Sequence, residues 1–324
     1  MSKHSILIAD IGGTNARFAL AEPSSPFYSQ ARTVQCAEFE DIYKAVDVYL
    51  QAEEIQHLSS LCFAVAGPII EQTVEFPNSH WKIDALELKQ RYGCERAHLI
   101  NDFQAIAYSL ASLGEEDILS IGSSAKPPSA SQKSDFTMGV VGPGSGLGIA
   151  GLCRRDGQLF PLVTEAGHVG FSPENILQGK VLNYLHQKFD DRISRERLLS
   201  GPGLVNIHEA LCEIRGHQNP GLLAADIAIA GTQQTDEICT ETVDVFFELL
   251  GQVAGDVALG LGAYQGIFIA GGICQRYPEQ LANSRFRAGF ENKGRHSHLM
   301  TDLPTWLISH KNPGLLGASV FARA

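Results

Sequence analysis

The strongest constraint on the fold of this chain is a pattern that occurs twice, a glycine-rich turn between two short apolar stretches. The first copy is "ADIGGTNARFALAE" at residues 9–22, in which the apolar run 5–9 precedes the turn and 17–21 alternates after it. The second copy is "FTMGVVGPGSGLGIAGLC" at residues 136–153. Each copy predicts two strands joined by a glycine turn, and the first predicts a β-hairpin.

The first turn lacks the motifs of the two common nucleotide-binding loops. A dinucleotide loop carries G-x-G-x-x-G and leads into a helix, whereas here only Gly12 and Gly13 occur and a strand follows. The P-loop string G-x-x-x-x-G-K-[ST] occurs nowhere in the 324 residues. Two interpretations remain open. In the first, the backbone N–H groups, with Thr14 and Asn15, surround an anion while Asp10 faces a cation. In the second, the turn is an ordinary hairpin turn.

Strands and helices alternate along the rest of the chain. The pattern predicts a helix in 39–55, strands in 59–70 and 96–102, and a small-residue-rich helix in 242–263 that suits tight helix packing, followed by the strand and third glycine cluster of 266–274. The segment "SAKPPSASQKSD" at 124–135 is rich in serine, proline and lysine and predicts a surface loop. This order favours an α/β protein with a mixed sheet covered by helices.

Length and charge narrow the class of protein. A chain of 324 residues exceeds the size at which one core stops growing, so we expect two domains. The content of 44% hydrophobic and 19% charged residues is that of a globular protein. The formal net charge is −11 and lysine and arginine are scattered, which argues against a nucleic-acid partner.

The cysteines and the lengths of the apolar runs indicate in which cellular compartment the protein is expected. The 7 cysteines include no C-x-x-C pair, which argues against a zinc cluster and against a disulfide framework. A reducing, cytoplasmic setting fits this usage. The apolar runs are too short for a signal-peptide core or a membrane span, so we expect no membrane partner.

Seven strings distributed along the chain carry a resemblance to a known family. They are "DIGGTNAR", "INDF", "GPGSGLG", "TEAGHVGF", "RERLLSGPGLVN", "IAGGI" and "NPGLLGA". In order and spacing, from about residue 6 to 321, they resemble the bacterial glucokinase family of the sugar kinase, Hsp70 and actin superfamily. The resemblance implies a two-domain actin-like ATPase (ribonuclease H-like) fold with an active-site cleft between the domains. It assigns 1–111 plus 303–324 to a small domain and 112–302 to a large one.

The same resemblance implies an activity and a set of substrates. The γ-phosphoryl group of ATP, bound with Mg²⁺, passes to the 6-hydroxyl of glucose, the first step of glycolysis, and family members are often homodimers. By this resemblance Asp102 is the general base and Asn101 contacts a sugar hydroxyl. Because asparagine and aspartate are also the favoured helix caps, a capping role is an equal alternative that can coexist with function.

The resemblance implies further sugar contacts at three positions. Glu165 and His168 in "TEAGHVGF" are marked as sugar-binding, and their i, i+3 spacing also matches a metal motif of helix bundles. The glycines within that string make a helix, and hence that metal site, a poor candidate. Glu196 in "SRERLL" is sugar-binding by resemblance and otherwise reads as part of a solvated charge cluster on a helix. Asn78 in "FPNSHW" and Gly67 in "VAGP" are further candidate contacts of the cleft, with turn formation as the stronger alternative.

The glycine clusters and Asp10 are implied to bind the nucleotide and its metal. The phosphates are expected to contact residues of both glycine turns, namely Gly12, Gly13, Thr14 and Asn15 in the first and Gly144, Ser145 and Gly146 in the second. Gly271 and Gly272 resemble the loop that contacts adenosine, where missing side chains let the base approach the backbone. Asp10 is expected to hold Mg²⁺ through water.

Other functions are alternatives to a glucokinase activity. A related repressor family carries a zinc-binding cysteine cluster and an N-terminal helix-turn-helix, and neither occurs in the sequence. An Hsp70-type chaperone would need a separate peptide-binding domain. A kinase for mannose, fructose or an N-acetyl sugar stays open, as does a non-catalytic sugar sensor, although Asp102 argues against the sensor because binding alone needs no base.

Overall fold

The structure is a computed structural model that describes residues 5–22, 24–76, 80–122 and 134–323. The chain forms two compact units, one running to Leu113 and resuming at His310, the other spanning Gly114–Ser309. The expected boundaries at 111 and 303 therefore differ from the observed division at both ends. The reason at the second boundary is that Thr305–Ile308 pairs in parallel with Ile267–Ile269 in the sheet of the second unit.

The first unit contains a five-stranded sheet of order β3-β2-β1-β4-β7. Its strands are β1 Ser5–Ile11, β2 Asn15–Ala21, β3 Tyr28–Gln35, β4 Leu58–Val65 and β7 Arg96–Asn101, and the short strands β5 Thr73–Glu75 and β6 Lys82–Asp84 form a separate ribbon. Strands β1 and β2 are antiparallel with Asp10 opposite Arg17, which confirms the predicted hairpin. Strands β1, β4 and β7 run parallel, so their carboxyl ends share one edge of the sheet.

The helices of this unit cover both faces of the sheet. They are α1 Ile42–Ala52, α2 Ala85–Tyr92, α3 Asp102–Ser109 and α12 Pro313–Phe321, with a 3-10 turn at Cys36–Glu38. Helix α1 confirms the helical pattern in 39–55 and begins where the Asp41 side chain accepts a hydrogen bond from Lys44 N. Helices α3 and α12 touch through their backbones, because a Cβ on Gly317 would lie 1.6 Å from the Ala105 carbonyl oxygen.

The second unit contains a six-stranded sheet of order β11-β10-β9-β12-β13-β8. The strands are β8 Ile118–Ser120, β9 Phe136–Pro143, β10 Leu147–Arg155, β11 Gln158–Val163, β12 Ile267–Ile269 and β13 Thr305–Ile308. Strands β9 and β10 are antiparallel on either side of the second glycine turn, which confirms the repeated strand, turn, strand design. Most of the loop predicted at 124–135 lies outside the described residues.

A long central helix organises the second unit. The helices are α4 Ile176–Lys188, α5 Gly201–Arg215, α6 Ala224–Thr232, α7 Glu237–Leu261, α8 Gly272–Arg276, α9 Pro278–Asn283, α10 Phe286–Glu291 and α11 Ser297–Asp302. Helix α7 packs tightly on α10, since a Cβ on Gly251 would lie 1.9 Å from the Phe286 oxygen and one on Gly289 would lie 2.2 Å from the Glu248 oxygen. The tight packing expected of its small residues is confirmed. None of the helices in the described ranges is long and apolar enough to span a bilayer.

Candidate active site

The first glycine turn is fixed at its base and exposed at its tip. Gly12 N donates to Asn15 O at 2.9 Å, and Thr14 O accepts from Cys36 N at 2.9 Å. Gly13 and Thr14 are exposed between the ends of β1 and β2. A turn anchored in this way presents backbone N–H groups and a hydroxyl at a fixed position, which is the arrangement that binds an anion.

Asp10 lies beside this turn near the carboxyl end of β1. Its carboxylate is mostly buried, and Arg17 Nη1 lies 3.4 Å from its Oδ2. Burial raises the pKa of Asp10, and the nearby Arg17 charge opposes that rise only in part. A Cβ on Gly314 would lie 2.9 Å from the Asp10 Cγ, so this glycine leaves room for the carboxylate.

The donor set around Asp10 fits a magnesium ion held largely by water. The described residues include no group of three or more His, Cys, Asp or Glu side chains that could hold a metal ion. Mg²⁺ keeps several of its waters and is usually bound through one or two carboxylates together with substrate phosphates. A single carboxylate next to a turn with exposed backbone N–H groups therefore suits this ion.

Asn101 and Asp102 lie at the same sheet edge as Asp10. Asn101 ends β7 and Asp102 begins α3, and the parallel ladders align Ile11 with Val65 and Val65 with Asn101. The Asn101 Oδ1 accepts from the backbone N–H groups of residues 103 and 104 at 2.9 and 3.3 Å. The capping role is confirmed for Asn101. Ligands of open α/β sheets bind at this carboxyl edge, so both side chains lie where a substrate would be expected.

The second glycine turn joins β9 to β10 in the other unit. Gly144 N donates to Gly146 O at 2.8 Å, and Gly201 N donates to Gly144 O at 2.8 Å. The second bond places the first residue of α5 against the turn, and the side chain of Ser200 caps that helix through Gly203 N. The amino end of a long helix next to a glycine turn favours a negatively charged group.

Two neighbouring 3-10 turns, Ala166–His168 and Arg195–Arg197, contain His168 and Glu196, and Glu165 directly precedes the first of them. Arg195 N donates to Val169 O at 3.0 Å, and this bond joins the two segments. Glu165 and His168 are exposed, whereas Glu196 is partly buried. The structure therefore brings Glu165, His168 and Glu196 together on one side of the second unit.

Glu196 makes the contact that ties this group to the glycine turn. Its Oε2 accepts a hydrogen bond from Leu147 N at 2.9 Å. The segment that carries it is a single 3-10 turn, which corrects the expectation of a helix there. Its carboxylate is bonded to backbone, so the alternative of a purely solvated charge cluster does not describe it.

The third glycine cluster borders an apolar cavity. Gly271 has a φ of 91°, and a Cβ there would lie 2.2 Å from the Pro143 oxygen, so only glycine fits at this point. Gly272 and Gly144 both line a cavity of about 330 Å³. Further lining residues are Leu204, Ala224, Ala228, Ile273 and Tyr277. The sequence did not lead us to predict these cavity-lining residues. The feature that could have indicated them is the run of small residues in "LLAADIAIA".

Asn78 lies outside the described residues, so its proposed contact is not placed. Gly67, which follows β4, donates from its backbone N to Val65 O at 3.1 Å. The turn interpretation accounts for that glycine.

The sheet topology of the two units and the glycine turn at the same strand junction in each define an actin-like ATPase fold of the sugar kinase class. Comparison with known proteins identifies the family. A glucokinase of Xylella fastidiosa (strain M12) is 39% identical over 322 residues, covering 98% of this chain and 95% of that protein. A glucokinase of Stenotrophomonas maltophilia (strain K279a) is 40% identical over 322 residues, covering 98% of this chain and 94% of that protein.

A solved structure agrees with these relatives. The crystal structure of a glucokinase from an Antarctic psychrotroph superposes with a TM-score of 0.89 at 32% identity and covers 98% of both chains. The profile of the family described as Glucokinase matches residues 7–324. This chain belongs to the glucokinase family, which confirms the resemblance and the fold class inferred from the sequence.

Proposed function

We propose that this protein is a glucokinase that transfers the γ-phosphoryl group of ATP to the 6-hydroxyl of glucose, giving glucose 6-phosphate and ADP. The observation that carries the proposal is the hydrogen bond from Leu147 N to Glu196 Oε2. It joins a carboxylate of the implied sugar site directly to the residue that follows the second phosphate turn. Sugar and nucleotide binding groups are thereby neighbours within one unit.

The second unit supplies most of the substrate contacts in this proposal. Glu165, His168 and Glu196 accept or donate hydrogen bonds with the sugar hydroxyls, each of which is both donor and acceptor. Such a set rejects a sugar that lacks one hydroxyl, because a buried polar group is then left unpaired. The turn formed by Gly144, Ser145 and Gly146 contacts the phosphates, and the cavity at Gly271 and Gly272 takes the adenosine.

The first unit supplies the base, the metal ligand and the other phosphate turn. Asp102 accepts the proton of the sugar 6-hydroxyl, a role typically worth ~10²–10⁴-fold in rate. Asn101 contacts a sugar hydroxyl through its amide nitrogen, since its oxygen caps α3. Backbone N–H groups of Gly12 and Gly13, with Thr14 and Asn15, bind phosphate oxygens.

Asp10 holds Mg²⁺ through water in this proposal. When bound, the ion neutralises charge on the phosphate oxygens. Phosphoryl transfer needs mainly positioning and charge neutralisation, so a chain without a P-loop lysine can perform it. Asn78, whose side chain carries both a donor and an acceptor, is retained as a proposed further contact of the sugar.

The setting of the enzyme is proposed on the same basis. The 7 cysteines are free thiols, which supports a reducing cytoplasmic location. Family membership supports a homodimer and a role at the entry of glucose into glycolysis. Light scattering at several protein concentrations measures the oligomeric state directly.

The experiment that tests the function is the initial rate of ADP formation from Mg-ATP with a panel of hexoses. Glucose, mannose, fructose and an N-acetylated sugar are compared by kcat/KM. We expect ADP release that depends on sugar and is most efficient with glucose. Release without sugar dependence would indicate an ATPase, and glucose binding without any release would indicate a sensor.

A further inference from the structure

Four charged side chains of the second unit form a continuous series of ion pairs. Lys293 Nζ lies 2.9 Å from Glu174 Oε1 and 3.1 Å from Asp256 Oδ1. The other oxygen of Asp256, Oδ2, lies 3.1 Å from Arg195 Nη2. The series contains two carboxylates and two cations, so its charges balance.

Lys293 is the buried member of this series, and its partners are partly exposed. The Lys293 side chain is only 5% exposed, and those of Arg195 and Asp256 are 16% and 30% exposed. A Cβ on Gly255 would lie 2.7 Å from Lys293 Cε, so a glycine in α7 makes room for this lysine. Removing one partner of a buried ion pair leaves the other charge unpaired, which is costly. The pairing therefore favours the observed positions of these side chains.

One end of the series reaches the segment that carries Glu196. Arg195 is the first residue of the 3-10 turn Arg195–Arg197, and Glu196 is its second. The backbone of Arg195 is fixed on both sides, because its N–H donates to Val169 O and its oxygen accepts from Leu199 N at 2.9 Å. The guanidinium is then held by Asp256 from helix α7, so backbone and side chain together fix the direction in which the next residue points.

We propose that Asp256 is a positioning residue for sugar binding. By holding Arg195, it keeps the turn in the orientation in which Glu196 reaches Leu147 N and the sugar. Asp256 itself does not touch the substrate. The inference rests on the proposed function only for its sugar-binding consequence, since the effect on the turn is independent of the substrate.

The first test is the variant Asp256→Asn, with Glu248→Gln as its matched control. Glu248 lies on the same helix, and its carboxylate pairs with Arg285 at 3.0 Å and accepts from Asn175 Nδ2 at 3.2 Å. We expect Asp256→Asn to raise the KM for glucose about tenfold while kcat and the KM for ATP change less than about twofold, the pattern of lost uniform binding. Glu248→Gln is expected to leave all three constants unchanged. An unchanged glucose KM in folded Asp256→Asn would overturn the proposal.

A double-mutant comparison separates positioning from a general structural effect. If Asp256 acts through Glu196, adding Asp256→Asn to Glu196→Gln raises the glucose KM by less than about twofold beyond Glu196→Gln alone. Fold-changes that multiply would show that the two residues act independently and would overturn the proposal. Should Asp256→Asn fail to fold, Arg195→Lys takes its place, because a lysine keeps the charge but loses the planar geometry of the guanidinium.

Amide hydrogen exchange of the segment 194–199 supplies a readout that needs no activity. We expect faster exchange there in Asp256→Asn than in the wild-type protein or in Glu248→Gln. If the wild-type protein neither binds nor phosphorylates glucose, the proposed function fails and this exchange result still decides on the positioning role. Equal exchange rates of this segment in all three proteins would overturn the positioning role of Asp256.

Discussion

The carboxylate of Glu196 accepts a hydrogen bond from the backbone N–H of Leu147 at 2.9 Å. The residue before Leu147, Gly146, is constrained by the same carboxylate, since a Cβ there would lie 2.5 Å from Glu196 Oε2. One carboxylate thus contacts the second glycine turn while belonging to the implied sugar site. A methyl group at position 146 would therefore meet the carboxylate end of the Glu196 side chain.

The variant Gly146→Ala is expected to impair glucose binding more than ATP binding. The added methyl group meets the flexible end of the Glu196 side chain, so the carboxylate moves away from Leu147 at little cost in stability. The displaced carboxylate would also lose its proposed hydrogen bond to the sugar, and a hydrogen bond to a charged group is worth about 1.5–3 kcal/mol, which corresponds to a rise in glucose KM of roughly tenfold to hundredfold. Steady-state kinetics and thermal melting measure both effects. A raised ATP KM with an unchanged glucose KM would contradict the account.

The variant Gly144→Ala changes another glycine of the same turn and is expected to weaken ATP binding. Nothing lies within 4 Å of a Cβ built at Gly144, so the folded protein accommodates the methyl group. If phosphates approach the backbone there, that group stands in their way, and the ATP KM rises by about tenfold or more while the glucose KM and melting temperature hold. An ATP KM equal to that of the wild-type enzyme would place the phosphates elsewhere.

Two glycine-to-alanine changes in helices are expected to have opposite effects on stability. Gly317 in α12 lies against the Ala105 carbonyl, where a Cβ would be 1.6 Å away, so Gly317→Ala forces α3 and α12 apart and costs about 1–3 kcal/mol or more. Gly179 in α4 has open space at its Cβ position, so Gly179→Ala should stabilise by about 0.5–1 kcal/mol. Denaturant unfolding of the two variants checks the signs. Stabilisation by both would mean that the helices are not in backbone contact.

Asp10 is expected to make the stability of the protein depend on pH. Its pKa in the folded protein lies above the ordinary value of 3.8 because burial disfavours the carboxylate. The folded state therefore binds more protons than the unfolded state between these two pKa values, and stability falls as pH rises through that interval. Above it, the ionised Asp10 carries a cost that Asp10→Asn removes.

We therefore expect the melting temperature of Asp10→Asn to exceed that of the wild-type protein by more at neutral pH than near pH 4. Melting curves measured across this range test the sign. A difference that is constant with pH would show that Asp10 ionises in the folded protein as it does in the unfolded chain. The gain in stability should accompany a loss of activity with Mg-ATP, since Asp10 is the proposed metal ligand.

Local patterns in the sequence predicted the strand-turn-strand units and the cap of α3. Each strand-turn-strand unit is formed by residues that are close together in the sequence. The apolar residues on both sides of a glycine turn were therefore enough to predict both units. The cap at Asn101 likewise needs only the two residues that follow Asp102. These features depend on contacts within a few positions of the chain.

Long-range contacts explain what the sequence did not reveal. The boundary before His310 depends on the pairing of Thr305–Ile308 with a strand almost forty positions earlier, which no local pattern records. The contact of Asp256 with Arg195 joins residues 61 positions apart, and each reads alone as a surface charge. The role of Glu196 was supplied by the family motif, because its bond to Leu147 N exists only in the folded unit.

Asp102 is the proposed base in phosphoryl transfer to glucose, and a comparison of the wild-type protein with Asp102→Asn tests this role. Glucose affinity is measured by calorimetry and turnover by ADP formation from Mg-ATP. We expect glucose affinity to stay within a few-fold while kcat falls by ~10²–10⁴-fold. Turnover equal to that of the wild-type protein would contradict the assignment of the base.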